Sequence, residues 1–551
     1  MKFKVLAWFL CVLFNIRLIS CKKVELRCVE NSKALIKLNL YGCDPSNTCI
    51  LSDVVAEKGD KFHFEQGDKN CIVFLNSSLY TIPSKLSSDN LRTIYAANSS
   101  LRVLSEMKFE KMYDLIFKDN RMKYLPDSLK ISSCVIDFSN NQISTIEDNL
   151  FLRFDIIYSY NWDGQPNSKP CKITFSNNQL EVLPLEVFSD HGFFEEHDFS
   201  GNLIKEVEDS STNMFYQSST SFNFSKNMFK SIPVNLLMQY GVFNNLDLSY
   251  NQIEATNTSD PDSLVQRNVV TFLNLSFNNI REFSFNFLKY FQIITKLDAS
   301  NNQIECFDNT DYLLNSQIEE INLNNNKIRI MPVTLFSQIK NWDLSFNLIE
   351  MFSDYDDTSK SEHIFVNSIN MSFNNLESLP LKAFSLFKIR SLILSNNRIN
   401  TFRDFATLLV TEVLDLSNNS IWNIPFETFA DSDLKSLILN NNKIQLKFSI
   451  FPKNIEIIDL RFNQLRTSDF KLFSYYKNLH TIYLDNNDHL ILNTEDLLYS
   501  NIKRIGISSN IYTCYDLLKL LMILKKANIE YVINNPLVKN FQHINGIGCN
   551  N

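Results

Sequence analysis

The 551 residues include only 10 Gly and 13 Pro, too few for the flexible linkers that join independently folded modules. Long apolar runs are also missing: beyond the first residues the longest, Leu517 to Leu524, is interrupted by Lys519. Nothing there approaches the roughly 20 apolar residues that span a bilayer. Positive charge is not in excess, since 53 Lys+Arg stand against 61 Asp+Glu for a net charge of −8, which argues against a surface built for nucleic acid or anionic membrane. Strings that carry common chemistry are absent as well: there is no Gly-x-Ser-x-Gly, no phosphate-cradling glycine loop and no Cys-x-x-Cys pair. The seven His are dispersed; of the nearest two, His191 and His197, the latter occupies a position read below as inward-facing, which suits a core residue. Asp354, Asp356 and Asp357 open like a calcium loop, but no Gly stands sixth and Phe365 takes the twelfth place, where a bidentate Glu belongs. No cofactor and no metal are expected, and an enzyme would need a constellation the chain does not display.

What the chain does have is apolar mass, 44% of residues with 45 Phe among them, in a length beyond the roughly 250–300 residues at which a single core stops growing. Several domains or a repeat would satisfy that length. The scarcity of linker residues favours the repeat.

The first residues read as a secretory signal: Lys2 and Lys4, the apolar run Val5 to Phe14, then Leu18 and Ser20 at the −3 and −1 positions of a cut after Ser20. Leu18-Ile19-Ser20-Cys21 also fits a bacterial lipobox that would lipidate Cys21; the other cysteines, which suit a disulfide framework, favour the secretory reading. Only two Asn follow Cys549, which leaves no anchor tail, so the expected product is soluble and extracellular, with no membrane span.

Self-comparison finds the phrase Leu-x-x-Leu-x-Leu-x-x-Asn-x-Ile/Leu again and again, as in FKIRSLILSNNRI and NIEIIDLRFNQL. Its Asn recurs from Asn120 to Asn510 about every 24 residues, and degenerate copies end at Cys43, Ser77 and Ser99. This is the leucine-rich repeat pattern, and about 20 coils are expected. Alternating residues such as Leu414 and Leu416 lie on one face of a short strand and point inward, while Asp415 points out. The Asn ending each strand can satisfy backbone groups at the turn. Phe188, Phe336, Phe384, Phe429 and Phe473 recur on the return side, where they suggest a stacked spine. Narrow strands on one side and bulkier returns on the other imply an α/β solenoid curved into a horseshoe, with a parallel concave β-sheet and disulfide-capped ends. The organisation reads as a signal peptide 1–20, a cysteine-containing cap with a first degenerate repeat 21–71, repeats 72–512 and a helical cap 513–551.

Three repeat intervals are long: one carries Tyr158 to Pro170 with Trp162 in a turn context, the others Thr256 to Asp262 and Asp354 to Glu362. Each reads as a surface loop, open to use in binding. Cys514 and Cys549 are expected to close the terminal cap, over whose last coil the helical stripe Leu517, Leu520, Leu521 and Leu524 would lie. Cys134 and Cys171 hold the same place in adjacent coils, about 5 Å apart, and suit a rung-to-rung disulfide. The pairing of Cys21, Cys28, Cys43, Cys49 and Cys71 stays open, and Cys306 has no evident partner.

Over roughly Ala34 to Tyr512 the repeats resemble those of animal extracellular leucine-rich repeat proteins, including Toll-like receptor ectodomains. The segment Cys71 to Pro83 and the tail from Asn510 through Cys514 to His543–Cys549 are similar to secreted insect proteins, among them mosquito leucine-rich immune proteins. The resemblance implies a recognition role in innate immunity. Those immune proteins pair through a double-cysteine segment and a coiled coil that engage a complement-like thioester protein, and neither segment stands after these repeats. Homo- or hetero-dimerisation therefore stays open.

The expected function is a secreted binding protein for an extracellular protein or glycan; the alternative is an adhesion or matrix component using the same surface. The ligand-binding candidates are an outward acidic row that includes Asp247, Asp298 and Asp343, the residues just before the repeat Asn, Tyr250, Phe277, Phe346, Phe373 and Phe462, and Trp162. The competing reading makes both rows scaffold, since Leu-Asp-Leu-Ser-x-Asn is common repeat wording. Asn-x-Ser/Thr acceptors stand at Asn76, Asn98, Asn223, Asn257, Asn274, Asn370 and Asn418.

Overall fold

The computed structural model describes residues 23–26, 43 and most of 48–550; outside the described residues lie 1–22, 27–42, 44–47, 151–170, 185–193, 209–219, 234–241, 257–267, 309–317, 354–362, 534–541 and shorter stretches. The secretory segment, Cys21, Cys28, the Tyr158 to Pro170 insertion with Trp162, Asn257, Phe188 and Phe336 fall there, as do nearly all of the other two insertions. The chain divides into two units, one of residues 1–253 and 260–274, the other of 254–259 and 275–551.

Each repeat contributes one short strand, because its two apolar residues alternate with a polar one. In the first unit the strands Thr48–Ser52, Cys71–Leu75, Thr93–Tyr95, Lys108–Ile116, Lys130–Asp137, Cys171–Thr174, Phe194–Asp198, Thr220–Asn223, Val242–Asp247 and Asn268–Asn274 pair in succession, all parallel. The second unit continues the pattern with Phe291–Asp298, Glu320–Asn322, Asn341–Asp343, Ile364–Asn370, Phe387–Ile393, Leu409–Asp415, Ser436–Ile438, Ile457–Asp459, Thr481–Tyr483, Arg504–Gly506 and Glu530–Val532. Register places like on like: Leu414, Leu437, Ile458, Ile482 and Ile505 stand opposite one another with their side chains fully buried. Each such side chain is worth about 1.5–3 kcal/mol of burial. The fold is a parallel leucine-rich repeat solenoid.

The described residues include little helix. Among the described residues many returns carry short extended pairs, such as Val182–Pro184 with Glu206–Glu208 and Ser378–Pro380 with Thr401–Arg403, and a single turn of helix such as Leu381–Phe384 leads on towards the next sheet strand. On the return side Phe384 packs edge-on against Phe352 and Phe473 stacks on Phe451 at 5.9 Å, while Phe429 is buried. Among the described residues the longest aromatic stack runs elsewhere. In the first unit Phe117, Phe138, Phe175, Phe199 and Phe224 occupy the second inward strand position of successive coils, with ring centres 5.2–5.9 Å apart. His197, also inward and buried, lies flat on Phe222 at 4.4 Å.

The repeat Asn are structural. Asn347 donates from Nδ2 to the carbonyls of Leu323 in the preceding coil and Leu344 in its own, and its Oδ1 accepts from the Ile328 backbone N–H at 3.0 Å. The same set repeats at Asn178, Asn202, Asn397 and Asn463, so groups that would be buried unpaired are bonded coil to coil.

Disulfides join Cys43 to Cys71, Cys134 to Cys171 on neighbouring strands, and Cys514 to Cys549. Cys49 is also disulfide-bonded, and Cys306 is free and exposed. The terminal helix Cys514–Lys526 starts at Thr513, whose Oγ1 accepts from the Asp516 backbone N–H, and it buries Leu517, Leu520, Leu521 and Leu524. No helix among the described residues is long and apolar enough to cross a membrane.

Candidate surface for ligand binding

The outward strand position carries Asp198, Asp247, Asp298, Asp343, Asp415 and Asp459. Every one of these carboxylates accepts a hydrogen bond from the backbone N–H two residues on, at 2.8–3.1 Å. The acid thus closes the turn that leads out of the strand. Asn does the same work where it replaces Asp: Asn223, Asn322 and Asn370 accept from Ser225, Asn324 and Ser372. Where a polar residue holds this place it supplies an oxygen acceptor, and Asn serves as well as Asp, so the charge is not required. Some of the charge is locally engaged, since Asp343 accepts from the Asn370 amide at 3.2 Å, and Asp298 from Asn322 at 3.2 Å. Asp459 is held by the Arg461 guanidinium, which Asp459 in turn keeps protonated to higher pH than usual.

The aromatic row has a different standing. Tyr250, Phe277, Phe346, Phe373 and Phe462 all have φ between 54° and 56°, the left-handed region, and are 43–52% exposed. In other coils the same place holds Asn177, Asn301, Asn325, Asn396, Asn441 and Asn486, a residue type that tolerates this conformation. A bulky aromatic there costs about 1–2 kcal/mol of backbone strain. Half-exposed rings recover only part of that through burial. Phe346 and Phe373, in adjacent coils, stack nearly parallel with centres 4.3 Å apart, and the Lys226 ammonium lies 5.9 Å from the Tyr250 ring.

The acceptor asparagines fall into two places. Asn76, Asn98 and Asn418 are exposed in the same left-handed position, whereas Asn223, Asn274 and Asn370 are half-buried on the sheet face.

Sequence reasoning missed a second feature of that face. In the second unit the outward positions include Ile393, Ile438 and Tyr483, flanked by Val413 and Ile457, all half-buried. Register puts Ile393, Asp415, Ile438, Asp459 and Tyr483 in one line, so apolar and acidic side chains alternate down it. Arg461 lies over the Tyr483 ring at 5.1 Å while it holds Asp459. The signal was in the sequence: these coils break the Leu-Asp-Leu wording at its middle place.

On the return side a cleft of about 340 Å³ between the extended pairs is lined by Glu350, Phe352, Glu377, Arg398 and Arg403, with both signs of charge. Among the described residues no group of three or more His, Cys, Asp or Glu is placed to hold a metal ion.

No protein-family model and no curated protein matches the chain. Among solved structures it is similar to the LRIM1/APL1C complex, at 15% identity over 96% of this chain and 71% of that one, with a TM-score of 0.35. A leucine-rich repeat protein of Leptospira interrogans aligns at 16% identity over 80% of this chain and 95% of its own, TM-score 0.40. The TLR13–ssRNA13 complex aligns at 16% identity over 87% and 81%, TM-score 0.40. By its repeat, its asparagine ladder and its stacked parallel strands, the chain is a leucine-rich repeat protein.

Proposed function

We propose that the protein is a secreted recognition protein of innate immunity that binds an extracellular protein or glycan through the sheet face and the aromatic rim beside it. The observation that carries this reading is the aromatic row. Five coils replace a conformationally suited Asn with a strained, half-exposed ring, and strain of that kind is kept where a side chain must be presented. The stiff hydrogen-bonded ladder beneath would hold such rings without entropy loss on binding. The basic, apolar-run start of the chain and the disulfides Cys43–Cys71, Cys134–Cys171 and Cys514–Cys549 support secretion into an oxidising compartment. The caps 21–71 and 513–551 would then protect the ends of the repeat array 72–512.

The test is capture from extracellular fluid by the purified secreted protein, with partners identified by mass spectrometry. Replacement of Phe346 and Phe373 together by Ala should abolish retention of the main partner while the melting temperature stays within a few degrees. Retention unchanged in the double variant would remove the aromatic rim from the site. Capture from matrix extracts alone would instead assign an adhesive role.

A further inference from the structure

Exposed large apolar side chains gather on the terminal helix and the turn before it: Tyr515 is 78% exposed, Leu518 50%, Met522 66%, and Tyr499, in the neighbouring turn Glu495–Tyr499, 80%. Tyr515, Leu518 and Met522 are spaced three and four residues apart, so they form one stripe on the helix. Leu517, Leu520, Leu521 and Leu524 form the other stripe and are buried against the cap. The helix is therefore apolar on two sides, and packing among the described residues accounts for only one of them.

We propose that the outer stripe is the contact surface of a homodimer, in which the terminal helix of a second copy lies antiparallel across the first about a two-fold axis at the level of Leu520. The sequence of the stripe is what selects a second copy. Leu518 and Met522 are equidistant from Leu520, so antiparallel pairing sets Leu518 of each copy on Met522 of the other. Tyr515 and Lys525 are equidistant as well, five residues to either side, which brings each Tyr515 ring under a basic end that carries Lys525 and Lys526. Asp516 in the first turn meets that same basic end. One patch thus complements itself, as a closed two-fold contact requires. An anionic membrane would also take an apolar stripe flanked by Lys519, Lys525 and Lys526, but the chain carries a net charge of −8, and Asp516 sits beside the stripe. A helix of 13 residues is about 20 Å long, so the contact is small and the association weak.

The experiment is sedimentation velocity with light scattering on the full secreted protein across a concentration series of about 1–100 μM. The expected result is a mass that rises from monomer to dimer. Leu518→Glu combined with Met522→Glu should leave monomer throughout, and Lys525→Glu with Lys526→Glu should weaken dimerisation at least tenfold. Leu518 and Met522 are exposed, so the melting temperature of their variant should match wild type. Should it fall, Tyr515→Lys alone gives the same readout from the most exposed residue of the stripe. A wild-type protein that stays monomeric to the top of the series overturns the proposal. So does a dimer indifferent to the glutamates, or a monomer that co-sediments with phosphatidylserine vesicles through this stripe.

Discussion

Two neighbouring side chains at each strand end do different work. The repeat Asn satisfies buried backbone groups from two coils, so its loss leaves donors and acceptors stranded at a cost of about 1–3 kcal/mol. Asn347→Ala should lower the denaturation midpoint accordingly, whereas Asp247→Asn, which keeps the acceptor for the Ser249 N–H, should leave it unchanged. The residue before the Asn offers a sharper discrimination. Phe462 is 45% exposed with φ 54°, and Asn serves that place in other coils. If the ring is there for a partner, Phe462→Asn relieves strain and should stabilise the protein by about 1 kcal/mol while it weakens capture. A fall in stability with capture intact would make the ring scaffold. Chemical denaturation followed by fluorescence, run beside the capture assay, separates the outcomes.

At the scale of the element, period and punctuation made the strands legible. Leu414 and Leu416 lie inward and buried because two apolar residues around one polar one can bury only that way in a strand. The asparagine ladder follows from the same spacing. The aromatic spine was harder to place, since Phe after Leu-Pro and Phe after Asp both look like core. Only the coil geometry shows that Phe138, Phe175 and Phe199 stack on the strand side. The outer stripe of the terminal helix escaped notice for a related reason: Leu517, Leu520, Leu521 and Leu524 already met the expectation of an amphipathic cap, and the period was not followed to Leu518 and Met522 on the other side. That helix begins at Cys514, whose bond to Cys549 closes 35 residues and is worth about 3–4 kcal/mol by loop-closure entropy. Cys514→Ser should therefore lower the melting temperature and expose Leu520 and Leu524 to aggregation, measured by calorimetry and turbidity. Equal melting of variant and wild type would remove the disulfide from the account of the cap.

For the whole molecule, the question is which stretch of sheet face a large partner could reach if the acceptor asparagines carry glycans. Asn223, Asn274 and Asn370 stand half-buried at outward strand positions, and a glycan on each would cover its own coil and part of the neighbours. After Asn370 the only further acceptor is Asn418, at an exposed left-handed position beside the strand end. The strands from Phe387–Ile393 to Arg504–Gly506 therefore carry no acceptor on their outward face. That same stretch holds the alternation of Ile393, Ile438 and Tyr483 with Asp415 and Asp459. Apolar side chains left half-exposed on a stiff sheet, bordered by acids, suit a partner with apolar and basic groups more than the acidic row of earlier coils does. If peptide mapping finds Asn274 and Asn370 occupied, Phe277, Phe346 and Phe373 are shielded with their coils, and capture rests on Phe462 and these later coils. Ile438→Lys should then reduce capture by the glycosylated protein at least tenfold, while Asp247→Lys, in a coil next to Asn274, changes it little. The reverse order of effects would put the partner on the earlier coils, and with it the requirement that their acceptors stay bare.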